Sequence, residues 1–138
     1  MSDELRIDWA GEMGFTAQTA SGHTLQLDAM VDNGGQNAGP QPLELLLVAL
    51  AGCSAMDVLA ILKKKRQPVE GFSICVRHER ASDYPRVYTA IQLEYVIRGA
   101  GVQREAVERA IELTEIKYCP AHAMLAPTVT ITHSYAIE

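Results

Sequence analysis

Residues 40–66 read PQPLELLLVALAGCSAMDVLAILKKKR, and this stretch decides the fold. Pro40 and Pro42 fix φ in a way that suits a first helical turn but not an interior. Lys63, Lys64, Lys65 and Arg66 place cations where a helix C-terminus carries negative dipole, with Pro68 just beyond. Between Glu44 and Asp57 no residue is charged. The pattern predicts one long helix over 40–66, apolar nearly all round and therefore covered on almost every side. Cys53 sits in its middle.

Covering that helix is a problem of size. About 25 helical residues at ~1.5 Å each make a rod of roughly 37 Å, whereas a compact chain of this length has a radius of gyration of about 14 Å. One copy has difficulty wrapping such a rod. Ala49, Ala51, Gly52, Ser54 and Ala55 flank Cys53 and let another backbone approach closely. The expectation is a homodimer with its central helices packed near each other; the alternative is a monomer with a well-covered core helix. Glu44, Gly52 and Asp57 interrupt the ~20 apolar residues that a membrane span needs, so no membrane partner is expected.

The chain has 138 residues, 48% hydrophobic and 21% charged, which predicts one soluble domain over 1–138 with a sizeable core. Its expected parts are N-terminal strands and a loop (1–39), the central helix (40–66) and a β-β-α-β region (67–138). The opening MSDELRIDWAG has neither a basic start nor an apolar segment, so it does not read as a signal peptide and the expected location is cytoplasmic. Three cysteines, an odd number, fit a reducing compartment better than a disulfide scaffold. The net charge of −5 argues against nucleic acid, and Lys63 to Arg66 reads as a solvated helix end.

Before the helix, Leu5, Ile7 and Trp9 and then Phe15, Ala17 and Thr19 alternate with polar residues around Gly11 and Gly14, a β-hairpin pattern. A third strand through Leu25, Leu27 and Ala29 leads into a loop, residues 31–39, without periodicity or a phosphate-loop motif. After the helix, Phe72, Ile74 and Val76 share one strand face. Val87, Thr89, Ile91, Leu93, Tyr95 and Ile97 form a second, long strand. Helical spacing then puts Val107, Ala110, Ile111, Thr114 and Tyr118 inside and Glu105, Glu108, Arg109, Glu112 and Glu115 outside, with Glu105 and Arg109 able to pair. A final strand carries Val129, Ile131, His133, Tyr135 and Ile137. The order of elements predicts an α+β domain.

Two cysteines stand out chemically. Cys119 precedes Pro120 and a helix-compatible AlaHisAlaMet, an N-cap position at which unpaired N–H groups favour thiolate. His122, one turn on, is within reach of that sulfur or is simply a surface histidine. Cys53 is buried, which raises a thiol pKa, and by itself reads equally as a small core residue. Asp57, at i+4 on the same face, needs a partner if buried. Glu44 points away from Cys53. Cys75 reads as a packing residue. No Cys-x₂-Cys or His-x₃-His pair anchors a metal, so none is expected, and GCSAM is no serine-hydrolase elbow.

The pairing of GPQPLELLLVALAGCSAMDVLAILKKKRQPVEGF with KYCPAHAML, in this order, resembles the OsmC/Ohr family, and within it the YhfA-like branch of small OsmC-like proteins. The resemblance covers most of the chain. It implies an OsmC-like α+β fold, antiparallel sheets wrapped around long central helices in an intertwined homodimer with active sites at the interface. It also implies a thiol peroxidase of the oxidative or osmotic stress response, reducing organic hydroperoxides. Cys53 then matches the attacking cysteine and Cys119 the resolving one, the resulting Cys53–Cys119 disulfide being reduced by a dithiol or redoxin, with no metal, flavin or nucleotide cofactor. Glu44, Asp57 and His122 are the supporting candidates. The chain departs from the family pattern in having no Lys or Arg between Arg6 and Lys63 to supply the arginine beside the thiolate. The matching carboxylate position falls at Leu43, with Glu44 one residue along. The alternative is an OsmC-like dimer without strong peroxidase activity that binds an apolar small molecule or has another redox role.

Overall fold

The computed structural model describes residues 3–138, as two compact units that meet in sequence between Val48 and Ala49. In the first, strands β1 (Arg6–Gly11), β2 (Gly14–Gln18) and β3 (Thr24–Leu27) form an antiparallel sheet in that order, as the alternation predicted. β3 stops short of Ala29 because Asp28 turns its carboxylate onto the following loop, accepting the backbone N–H groups of Ala29 (2.7 Å), Gln36 (3.1 Å) and Ala38 (3.0 Å). Those donors, Ala38 foremost, hold the Asp28 carboxyl below the usual aspartate range. The loop itself contains a 3₁₀ turn, Val31–Asn33. It packs so closely that a Cβ on Gly35 would lie 2.0 Å from the Ala29 carbonyl oxygen.

Helix α1 spans Glu44–Lys64 and so begins four residues later than the prolines suggest. The Pro40 carbonyl is already used by Asp28 N–H (3.2 Å), and Glu44 and Leu45 donate to Gln41 and Pro42 in a tighter i→i+3 turn. At the other end Arg66 takes φ 57° while Gln67 N–H reaches Leu62 O (3.0 Å) and Arg66 N–H reaches Lys63 O (2.9 Å). That is a left-handed helix cap built without its usual glycine. Within the chain only Leu50, Ser54, Val58 and Leu62 of α1 are buried, one stripe at four-residue spacing, while Val48 and Met56 are 63% and 75% exposed.

In the second unit β4 (Gly71–Arg80), β5 (Tyr88–Arg98) and β6 (Thr130–Ile137) form a sheet in that order. β4 and β5 are an antiparallel hairpin, but β6 runs parallel to β5, so this sheet is mixed and not the antiparallel one expected. The helices α2 (Arg104–Leu113) and α3 (Pro120–Leu125) carry the chain back to the start of β5, which makes the return strand parallel. Ile91, Leu93, Tyr95 and Ile97 are buried as predicted, whereas Val87 is exposed and Tyr88 buried in its place. A bulge opposite Glu79 and Arg80 reverses the alternation there.

Ala106, Val107, Ala110 and Ile111 form the buried face of α2, and Thr114, just past its end, continues it. From Thr114 to Tyr118 the helix widens into a π turn closed by Cys119 N–H on Thr114 O (2.8 Å). The extra residue shifts the helical phase, so that Tyr118, expected inside, is exposed, and Glu115, expected outside, is half-buried. Arg109 pairs with Glu112 (3.1 Å) instead of Glu105.

Candidate active site

Cys119 is the N-cap of α3, as its sequence context predicts. It is extended (φ −82°, ψ 105°), Pro120 takes the first helical position, and Sγ accepts the backbone N–H of His122 at 3.4 Å. The π turn before it drops the thiol into the interior, where it is 3% exposed. There it meets Ser54 Oγ at 3.5 Å, on the buried stripe of α1. Cys53 precedes Ser54 on that helix and, expected to be buried, is half-buried because it lies beside the covered stripe and not in it. Its sulfur, the Cys119 sulfur and a carboxylate oxygen of Asp57 all lie within 4.8 Å of one another, and both cysteines are free thiols.

Burial pushes the Cys53 thiol pKa up. The backbone N–H of Ala121 pulls it down, and the neighbouring Cys119 and Asp57 push it up again. The group that favours the thiolate is thus a backbone amide in the first turn of α3. Behind the thiols lies Tyr95, fully buried on β5, whose phenol is pushed up to about 12, first by burial. The Ser54 hydroxyl lies near enough to draw that value down, but Tyr95 Oη completes no hydrogen bond among the described residues. Glu115 also bears on Tyr95, and its Oε1 lies 2.6 Å from Nδ1 of His133 on β6. A cleft of about 370 Å³ opens one turn further along α1, lined by Asp57, Ala60, Ile61, Lys64, Leu113 and Tyr118 among others.

Of the residues singled out in the sequence, Cys53, Asp57 and Cys119 therefore come together. His122 joins them through its backbone N–H, not its ring. Asp57 lacks the partner expected for a buried carboxylate: its Oδ2 is enclosed and makes no hydrogen bond among the described residues. Glu44 is exposed and accepts from Gln41 Nε2 at 3.1 Å. Cys75, expected to pack, is exposed on β4. Ser54, Tyr95 and the Glu115–His133 pair escaped the sequence reading. Only for Tyr95 was there a signal, its place in the inward alternation of β5.

Residues 34–134 match the family model described as OsmC-like protein. The chain belongs to the OsmC family. It is 39% identical over 134 residues to protein YhfA of Escherichia coli K12, covering 97% of each sequence. A hypothetical protein from Aquifex aeolicus VF5, 33% identical, superposes with a TM-score of 0.82 over 100% of this chain and 98% of that one. At 13% identity, an organic hydroperoxide resistance protein OsmC from Legionella pneumophila shares the fold, with a TM-score of 0.71 over 99% and 97% of the two chains.

Proposed function

We propose that this OsmC-family protein is a cysteine-based peroxidase that reduces organic hydroperoxides in the cytoplasm as part of a stress response, and that it works as a homodimer. The observation that carries the reading is the convergence of two thiols remote in sequence, Cys53 and Cys119, within 4.8 Å. The name of the Legionella protein points to the same chemistry. The Cys53 thiolate attacks the distal peroxide oxygen, forming an S–O bond as the O–O bond breaks and the alcohol leaves after taking a proton. The sulfenic acid then condenses with the Cys119 thiol, releasing water and forming a disulfide. A dithiol or redoxin returns the two electrons. For the dimer, support comes from α1, whose Val48 and Met56 lie uncovered by their own chain.

Adding cumene hydroperoxide to the reduced protein is expected to consume two thiols per chain and to yield a Cys53–Cys119 disulfide by peptide mass mapping, with neither seen in Cys53→Ser. Alcohol production that persists in Cys53→Ser would remove the proposal. The raised pKa of Cys53 favours a second reading, an OsmC-like dimer that takes an apolar small molecule into the cleft beside Asp57. A Cys53 inert to peroxide, in a protein that still binds a hydrophobic fluorescent probe competitively with such a molecule, selects it.

A further inference from the structure

We propose that Cys53, Asp57 and Cys119, when reduced, form a binding site for a zinc ion, a Cys₂Asp set with a fourth position left for solvent or a ligand. The inference goes beyond the peroxidase reading and does not depend on it. It rests first on distance. Tetrahedral zinc with Zn–S bonds of ~2.3 Å holds its sulfurs about 3.8 Å apart, and the three donor atoms here already lie within 4.8 Å of one another. Closing on the metal takes a side-chain adjustment of roughly 1 Å.

The second observation is independent of that distance. Asp57 Oδ2 is enclosed, with no hydrogen-bond donor among the described residues, although buried carboxylate oxygens are normally satisfied. It stands one helical turn from Cys53 on the same face of α1, so helix geometry presents the two donors side by side. Three groups that each become anionic on losing a proton converge here, and a dication is the counter-charge that suits all three. Two sulfurs and one oxygen select a borderline-soft ion; calcium and magnesium require oxygen donors throughout.

Outer contacts hold the donors in place. His122 N–H and Ser54 Oγ bear on the Cys119 sulfur, and Ala121 N–H bears on the Cys53 sulfur. A sequence scan for metal sites misses this arrangement because its anchor is a Cys-x₃-Asp pair on a helix, completed by a thiol from the far end of the chain. Zinc held here ties up both sulfurs as thiolates, and the disulfide form, having lost both sulfur donors, has no site.

The test uses the untagged, full-length, reduced and chelator-treated protein with Zn²⁺ alone, and no hydroperoxide. Calorimetry is expected to give one ion per chain. Co²⁺ in its place is expected to show tetrahedral d–d bands with thiolate-to-cobalt charge transfer. Binding should disappear in Cys53→Ser, in Cys119→Ser and in the disulfide form, weaken at least tenfold in Asp57→Asn, and stay unchanged in Cys75→Ser. Because the variants bear on a packed interior, wild-type protein supplies a second readout. Zn²⁺ should slow alkylation of Cys53 and Cys119 at least tenfold while leaving Cys75 untouched. Absence of protection, equal protection of Cys75, or cobalt spectra without sulfur charge transfer overturns the site. Peroxidase assays of metal-free protein are scored separately, so either proposal can fail alone.

Discussion

Ser54 and Cys119, sixty-five positions apart in sequence, meet hydroxyl to sulfur at 3.5 Å in the interior of the second unit. The contact joins the buried stripe of α1 to the N-cap of α3, and it brings Cys119 beside Cys53. Ser54 is 1% exposed and lies next to the equally buried Tyr95.

Ser54→Ala removes the hydroxyl that faces Cys119 and is expected to cost about 1 kcal/mol in urea unfolding. Tyr95→Phe should behave oppositely. Its hydroxyl is enclosed without a hydrogen bond, so deleting it is expected to be neutral or to stabilise by up to ~1 kcal/mol. A large loss in Tyr95→Phe would mean that the phenol is bonded in solution.

Arg66 holds a left-handed backbone (φ 57°) at the end of α1, where glycine carries no Cβ penalty. Arg66→Gly is expected to raise the unfolding free energy by about 0.5–1 kcal/mol, read as a shifted denaturation midpoint at constant m-value. A drop would show that the arginine side chain contributes more than the backbone strain costs.

The raised pKa of Cys53 fixes the direction of its pH profile. In chelator-treated Cys75→Ser protein, alkylation of Cys53 should keep accelerating above the pH at which an ordinary exposed thiol, with pKa about 8.5, has levelled off. The unfolded chain, with the lower pKa, loses its proton first. The Cys53 contribution to stability is therefore present below the unfolded value and fades as pH rises above it. A plateau near neutrality would reverse the assignment.

Asp28 titrates in the other direction. Its folded pKa is depressed, chiefly by the Ala38 N–H, so the stability it supplies is present above the unfolded value and disappears as pH falls through the folded one, below about pH 4. Asp28→Asn should flatten the acid limb of the stability curve. Exchange of the Gln36 and Ala38 amides should accelerate on acidification of the wild type relative to the intrinsic rate. Unchanged protection would overturn this.

Met56, 75% exposed on α1, tests the homodimer. Light scattering is expected to give twice the chain mass for wild type and a shift toward the single-chain mass for Met56→Asp. A wild-type protein of single-chain mass removes the dimer from the proposal.

Much of this architecture was legible in the sequence because it rests on periodicity. The hairpin before the helix, the long apolar helix, the inward row Ile91, Leu93, Tyr95 and Ile97, and the N-cap at Cys119 each follow from spacing and cap chemistry. Changes of phase escaped. The π turn at Thr114–Tyr118 and the bulge opposite Arg80 each insert a residue, and no propensity marks either one. The exchange of Tyr118 for Glu115 on the inner face comes from the first, and that of Val87 for Tyr88 from the second. The parallel course of β6 was equally hidden, since alternation reports which face a residue takes and not which way its strand runs.

That course makes the last strand pair a long-range one. The β4–β5 hairpin closes over residues 81–87, whereas β6 reaches β5 only across the crossover, residues 99–129, a longer loop whose closure costs roughly 1 kcal/mol more. Cys119 lies on that crossover and Cys53 on α1. The proximity of the two sulfurs therefore belongs to the closed crossover and to no local segment of the chain.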